Sequence, residues 1–295
     1  MNQSFLPVSQ FRRTIGVQPP YDLVEAAGTN VAIARRGAGF PVLCLHATAH
    51  GGRDFESLVD TLVPLGFELV CVDWPGHGAS PPDASGQPAS ATRYAAVLSD
   101  LIPVLFGDAK PVVIGNSIGG AAALIAALEK PEAIRALVLC NPGGLAPLDP
   151  LAAAVIKLLV SFFEAGARGA RWFPWAFGLY YRLVLSGKPA QEQRARIVAA
   201  GSVMAPILVQ AWRSFGEANA DLRTRAQALK LPVFFAWAKS DQIVAWSRSK
   251  RAVETIPQAK VEFFKGSHAA FLEDPVAFQA SFLAFVKALP SGPNH

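Results

Sequence analysis

Apolar residues along this chain fall into short unbroken runs separated by stretches of helical period. Residues 41–45, 68–72, 111–114, 136–140 and 232–237 are such runs and read as strands buried on both faces. Residues 260–264 make a further strand. Between the runs, residues 53–65 put Phe55, Leu58, Val59, Leu62 and Val63 on one side of a helix. Residues 92–106 do the same with Tyr94, Val97, Leu98 and Leu101. Near the start, residues 21–27 and 31–36 read as an antiparallel hairpin turning at Gly28-Thr29-Asn30. Strands alternating with helices predict an α/β fold with a mostly parallel sheet and right-handed crossovers.

The alternation stops near Gly143-Gly144 and resumes at Leu231-Pro232. The chain thus divides into a first core part (1–146), a helical insertion (147–228) and a second core part (229–295). The insertion falls between the sixth and seventh strands. It is expected to sit over the strand C-termini, where open α/β sheets place ligands, and to act as a cap or lid. Its aromatic residues are expected to form mostly its own core. Trp172, Phe173 and Trp212 are the expected lining of an apolar pocket. Residues 81–88, bounded by prolines, read as an exposed loop.

Composition narrows the classes. With 52% hydrophobic and 17% charged residues, 295 residues suit one large core with an insertion. Cys44, Cys71 and Cys140 each fall near the end of a predicted strand. They read as small buried apolar residues, and no C-x-x-C spacing exists. The net charge of +5 resides in residues 147–228, with ten Lys and Arg against five Asp and Glu. These cations are scattered among apolar residues, which argues against a nucleic-acid surface. They read as a solvated helical face, with a lid that meets anionic substrate or, transiently, a membrane surface as the other reading. Residues 1–7 lack a basic region followed by an apolar run, so no signal peptide is expected. The apolar stretch 151–163, interrupted by Lys157, reads as too short to span a bilayer. A soluble, cytoplasmic protein is the expectation.

The most informative chemistry lies at Gly115-Asn116-Ser117-Ile118-Gly119-Gly120, between a predicted strand and a predicted helix. A serine with glycine two positions to either side at such a turn is the nucleophile-elbow pattern. A serine hydroxyl needs a base and a group to orient that base, and the chain order is Ser, then Asp or Glu, then His. Downstream of Ser117 the histidines are His268 and the terminal His295, and only His268 follows a strand. Asp241 follows the 232–237 strand and is the expected orienting carboxylate. Taken singly, an aspartate there is more often a cap or turn residue. Glu273 is the weaker alternative, and Asp274-Pro275 reads as a helix N-cap with proline at the first position. The backbone N–H groups of Ile118 and Thr48 are expected to hold an oxyanion, with Ala49 as the alternative to Thr48. His46 and His50 on that loop lack a third ligand, so no metal is expected. His46 reads as a buried structural residue, His50 as an exposed or rim residue.

Four motifs in order then identify the chain as similar to the α/β-hydrolase superfamily. They are the loop at His46, Asp73-Trp74-Pro75-Gly76-His77-Gly78-Ala79-Ser80, the elbow at Ser117, and Gly266-Ser267-His268 with Glu273-Asp274-Pro275. The resemblance covers roughly residues 20–146 and 229–290. It implies an eight-stranded, mostly parallel sheet, a Ser117–Asp241–His268 triad and no cofactor. It also implies that residues 73–80 are structural and that His77 stands outside the chemistry. Gly115–Gly120 and Asn141-Pro142-Gly143-Gly144-Leu145 are similar to hydrolases that cleave carbon–carbon bonds in ring-fission products, with Asn116 as a substrate contact. The loop His46-Ala47-Thr48-Ala49 departs from that subfamily's glycine-rich loop, and Ala269 stands where it has tryptophan. Ala47 also departs from the common His-Gly pair. This implies either that no positive φ is needed there or that the loop is rearranged. Serine rather than aspartate at the elbow argues against dehalogenase or epoxide hydrolase chemistry. The expected activity is hydrolysis of a small apolar ester, lactone or thioester. The alternatives are carbon–carbon hydrolysis of a dienoate and a ligand-binding scaffold with an idle triad.

Overall fold

A computed structural model describes residues 21–290; the readings on residues 1–7 and on His295 lie outside them. Eight strands form one sheet: β1 (Asp22–Ala26), β2 (Thr29–Gly37), β3 (Phe40–Leu45), β4 (Phe67–Asp73), β5 (Val112–Asn116), β6 (Ala136–Cys140), β7 (Val233–Ala238) and β8 (Ala259–Phe264). Their order is β1-β2-β4-β3-β5-β6-β7-β8. The β1–β2 and β2–β4 pairs are antiparallel and the rest are parallel. Strands β5, β6 and β7 are buried at every position, as unbroken apolar runs covered on both faces should be. The two apolar cores lie on opposite sides of this sheet.

The hairpin turns one step earlier than its sequence predicts. Ala26 pairs with Thr29, so the turn is Ala27-Gly28, with φ of 49° and 72°. Two residues at positive φ give the turn whose twist matches the strands. Thr29 and Asn30 belong to β2.

Core helices α1 (Glu56–Leu62), α2 (Ala91–Phe106), α3 (Ile118–Glu129), α7 (Trp246–Val253), α8 (Ala270–Glu273) and α9 (Pro275–Lys287) flank the sheet. The cap consists of α4 (Pro150–Ala167), α5 (Phe173–Val184) and α6 (Gln191–Ser214). Asp149 caps α4, its carboxylate accepting from the Ala152 N–H at 2.9 Å, with Pro150 as the first helical residue. Helix α4 runs beyond the apolar stretch read from sequence. Over its 18 residues it is long and apolar enough to reach across a membrane, as is α6. Inside the cap, Phe163, Phe173 and Phe177 are fully buried. Phe177 stacks on Phe173 with ring centres 5.3 Å apart and meets Tyr181 at 4.8 Å.

Truncating Phe177 removes the ring at the centre of this cluster. Phe177→Ala is expected to cost about 3–5 kcal/mol of stability. A lowered urea midpoint, partly restored in Phe177→Leu, checks this.

Candidate active site

Strand order reverses at β3, which lies between β4 and β5. The chain leaves β3 toward one edge of the sheet and leaves β5 toward the other, opening a crevice at their C-terminal ends. Both informative loops, residues 46–52 and the turn at Ser117, flank that crevice.

Ser117 is the single residue between β5 and α3. It holds φ 54° and ψ −115°, a conformation a side chain rarely adopts. The flanking glycines show why. A Cβ on Gly115 would lie 2.7 Å from the Gly119 carbonyl oxygen, and one on Gly119 2.6 Å from that of Leu45. The turn is pinned to the next strand by the Ser117 N–H donating to the Cys140 carbonyl at 3.0 Å. The Gly143 N–H donates to the Ser117 carbonyl at 3.1 Å.

His268 and Asp241 meet through a 2.7 Å bond from imidazole Nδ1 to carboxylate Oδ2, and both are buried. The same Oδ2 accepts from Asn141 Nδ2 at 2.6 Å, while Oδ1 accepts from the N–H groups of Ile243 and Val244 at 2.7 and 2.9 Å. Asp241 is therefore a turn aspartate and a histidine partner at once, using different oxygens. Burial opposes charge on His268, but the Asp241 carboxylate, with Glu273 behind it, outweighs burial and raises its pKa above the ordinary 6.5.

Glu273 does not touch the imidazole. Its Oε2 accepts from the backbone N–H groups of Ser267, His268 and Ala269 at 2.7, 3.0 and 3.3 Å. Its Oε1 accepts from Gly187 of the cap at 2.8 Å. Asp274 precedes α9 as expected, with Pro275 first in the helix, but its carboxylate does not cap that helix. It accepts from the Lys265 N–H at 3.1 Å instead.

The loop after β3 is a tight turn, with His50 N–H donating to Ala47 O at 3.1 Å and Ala49 at φ 65°. The left-handed position is thus Ala49, and Ala47 needs none. Ala49 N–H donates to Nε2 of His77 at 3.2 Å, whose Nδ1 donates to Pro75 O at 3.2 Å. Burial pushes the His77 pKa down to about 4, consistent with a neutral ring that accepts. His46 is likewise buried and held neutral, accepting from Trp74 N–H at 3.0 Å and donating to Ala47 O at 2.7 Å. The Ala49 amide is therefore occupied. The amide of Thr48 meets no acceptor among the described residues.

Thr48, Ser117 and His268 share the wall of one cavity of about 300 Å³ between sheet and cap. Trp212, Tyr180, Tyr181 and Phe215 line it from the cap. Two expected lining residues do not. Trp172 is 52% exposed on the outer surface, and Phe173 is consumed by the cap core. Asn116 is corrected too. It is wholly buried, and its Nδ2 donates to the carbonyls of Cys140 and His268, each at 2.9 Å. It splints the His268 loop to β6 instead of meeting a ligand. His50, expected at the rim, is buried against the cavity with Nδ1 bonded to Asp54. Their i, i+4 spacing was the available signal for this pair. Among the described residues no group of three or more His, Cys, Asp or Glu side chains could hold a metal ion.

Comparison with known proteins fits this frame. The chain is 26% identical over 263 residues to 2-hydroxy-6-oxo-6-phenylhexa-2,4-dienoate hydrolase of Burkholderia cepacia, covering 85% of this chain and 88% of that protein. It is 27% identical over 263 residues to pimeloyl-[acyl-carrier protein] methyl ester esterase of Nitrosomonas europaea, covering 86% and 98%. It is also 29% identical over 269 residues to polyketide synthase ThaQ of Burkholderia thailandensis; this takes in 88% of the chain but only 12% of that much longer protein. An esterase from Exiguobacterium antarcticum superposes with a TM-score of 0.78 at 20% identity, covering 90% of this chain and 99% of the esterase. The family profile described as alpha/beta hydrolase fold matches residues 41–275, and with the sheet order and the elbow this establishes that the chain belongs to the α/β-hydrolase family.

Proposed function

We propose that the protein is a cofactor-independent serine hydrolase acting on an apolar carboxylic ester, lactone or thioester through an acyl-enzyme. The observation that carries this is the 2.7 Å His268–Asp241 bond at the wall of the cavity that holds the Ser117 elbow. With Nδ1–H given to Asp241, His268 Nε2 is the nitrogen left to accept the Ser117 proton. As the proton transfers, Oγ attacks the carbonyl carbon. The oxyanion is held by the amides of Thr48 and Ile118, each such donor being worth about 100–1000-fold in rate. Collapse expels the alcohol, which takes the proton from His268. Water then cleaves the acyl-enzyme by the same route.

The lining favours an ester over a ring-fission dienoate. Among the described residues that line the cavity, Arg248 is the one Lys or Arg, and Asp149 already engages it at 2.7 Å. An anionic dienoate would have no free guanidinium there. Asn116 and Asn141, which belong to the two segments locally similar to carbon–carbon hydrolases, direct their amide N–H groups to the Cys140 and His268 carbonyls and to the Asp241 carboxylate. The esterase from Nitrosomonas europaea supports the ester reading, and the dienoate hydrolase from Burkholderia cepacia keeps the other as the alternative to test.

Three outcomes are expected. Ser117→Ala lowers hydrolysis of short p-nitrophenyl esters by roughly 10⁴-fold or more with an unchanged circular dichroism spectrum. Full activity in that variant sinks the assignment. A fluorophosphonate labels wild type at Ser117, whereas an idle scaffold stays unlabelled. In wild type, kcat/KM for esters exceeds that for a ring-fission dienoate. The pH profile supplies a further check. Only neutral His268 accepts the proton, so activity rises with pH through a pKa above the ordinary 6.5 of histidine. Glu273→Gln removes a nearby negative charge and moves that limb to lower pH, and an unmoved limb contradicts the electrostatics.

A further inference from the structure

We propose that the outer face of the cap is a docking surface for an anionic lipid bilayer. Helix α4 is apolar apart from Lys157, Ser161 and Glu164, yet only Phe163 and Gly166 of its 18 residues are fully buried. Leu158 is 69% exposed. Along the α5 segment, Trp172, Trp175, Leu179 and Leu183 follow one another at helical spacing, with Trp175 at 72% and Leu183 at 63% exposure. Phe162 joins the two stripes, its ring 5.9 Å from that of Trp172. Exposed tryptophan beside leucine, with no core to cover either, suits the boundary between headgroups and acyl chains.

Charge selects the lipid. Between Pro150 and Val184 stand Lys157, Arg168, Arg171 and Arg182 against the single carboxylate of Glu164, which Arg168 and Arg213 share. Lys157, Arg171 and Arg182 are exposed and meet no carboxylate among the described residues. A second copy of the chain seated here by two-fold symmetry would set these cations against themselves. Anionic headgroups would neutralise them. The helix lies on the membrane and does not cross it, because its other side lines the cavity through Ala152, Ile156 and Leu159. Leu151 and Val155 belong to both surfaces, being exposed and also lining the cavity. The cavity mouth therefore opens beside the docked face.

Co-sedimentation with phosphatidylglycerol-containing vesicles tests this without substrate, so its outcome is independent of the hydrolase reading. Wild type and Ser117→Ala are both expected to sediment with these vesicles and not with pure phosphatidylcholine, with tryptophan emission shifting to the blue. The pair Leu158→Asp, Trp175→Asp should weaken partition about tenfold or more. The pair Arg171→Glu, Arg182→Glu should weaken it by at least about fivefold per charge. Both pairs should keep wild-type hydrolysis of soluble esters, which shows that they fold. Absence of sedimentation with either vesicle overturns the proposal. So does equal binding to neutral lipid, wild-type partition in the variants, or a dimer dissolved by Trp175→Asp without any lipid binding.

Discussion

The cavity floor depends on holding one non-glycine residue, Ser117, at a φ of 54°. Such a conformation costs of order 1–3 kcal/mol and persists only where the surroundings over-determine it. Here they do so from three sides. Gly115 and Gly119 remove the side chains that would collide with backbone, the Cys140 carbonyl fixes the serine N–H, and the Gly143 N–H fixes its carbonyl. Parallel pairing of β5 with β3 and β6 places those partners, so the sheet itself bears the strain. The product is a hydroxyl lifted above the strand ends at the start of a helix, where partial positive charge favours a developing anion.

A second requirement is that loops carrying polar groups be rigid where little water reaches them. Each is held by a buried side chain bonded to backbone, or in one case to a neighbouring carboxylate. Glu273 gathers three consecutive amides of the His268 loop, and Asn116 ties the carbonyl at position 268 to β6. Asn141 joins β7 to the Asp241 carboxylate. His46 and His77, both kept neutral by burial, hold the turn after β3. Losing one of these bonds would strand a buried polar group at a cost, so the residues are not interchangeable contacts.

How much of this was legible in the sequence follows from the same distinction. The strands could be read because burial on both faces leaves an unbroken apolar run, as in 136–140, where predicted and observed bounds coincide. The elbow could be read because a steric demand selects glycine at two fixed positions. The order of Ser117, Asp241 and His268 could be read because each follows a strand. The splints could not. Asn116 and Glu273 bond backbone groups, and a carbonyl or amide leaves no mark in the identity of the residue that carries it. The hairpin misled because Ala27, not a turn-forming residue, takes up positive φ. In the cap, apolar residues occupy almost every face of α4 and α5, so helical period could not say which side meets core, cavity or surroundings. That is why Trp172 and Phe173, adjacent in sequence, were read alike and ended on opposite sides.

The cap itself is less a free lid than its position suggests. Gly187 is bonded to Glu273, so the α5–α6 connection shares a carboxylate with the His268 loop. Tyr181 donates to the Thr48 carbonyl at 3.3 Å, joining α5 to the turn after β3. Moving these parts of the cap would disturb the groups that flank Ser117 on both sides. Helix α4 bears no such bond to either loop, and its residues Leu151 and Val155 edge the mouth. Any opening that preserves the floor must therefore leave both the Gly187–Glu273 and the Tyr181–Thr48 bonds in place.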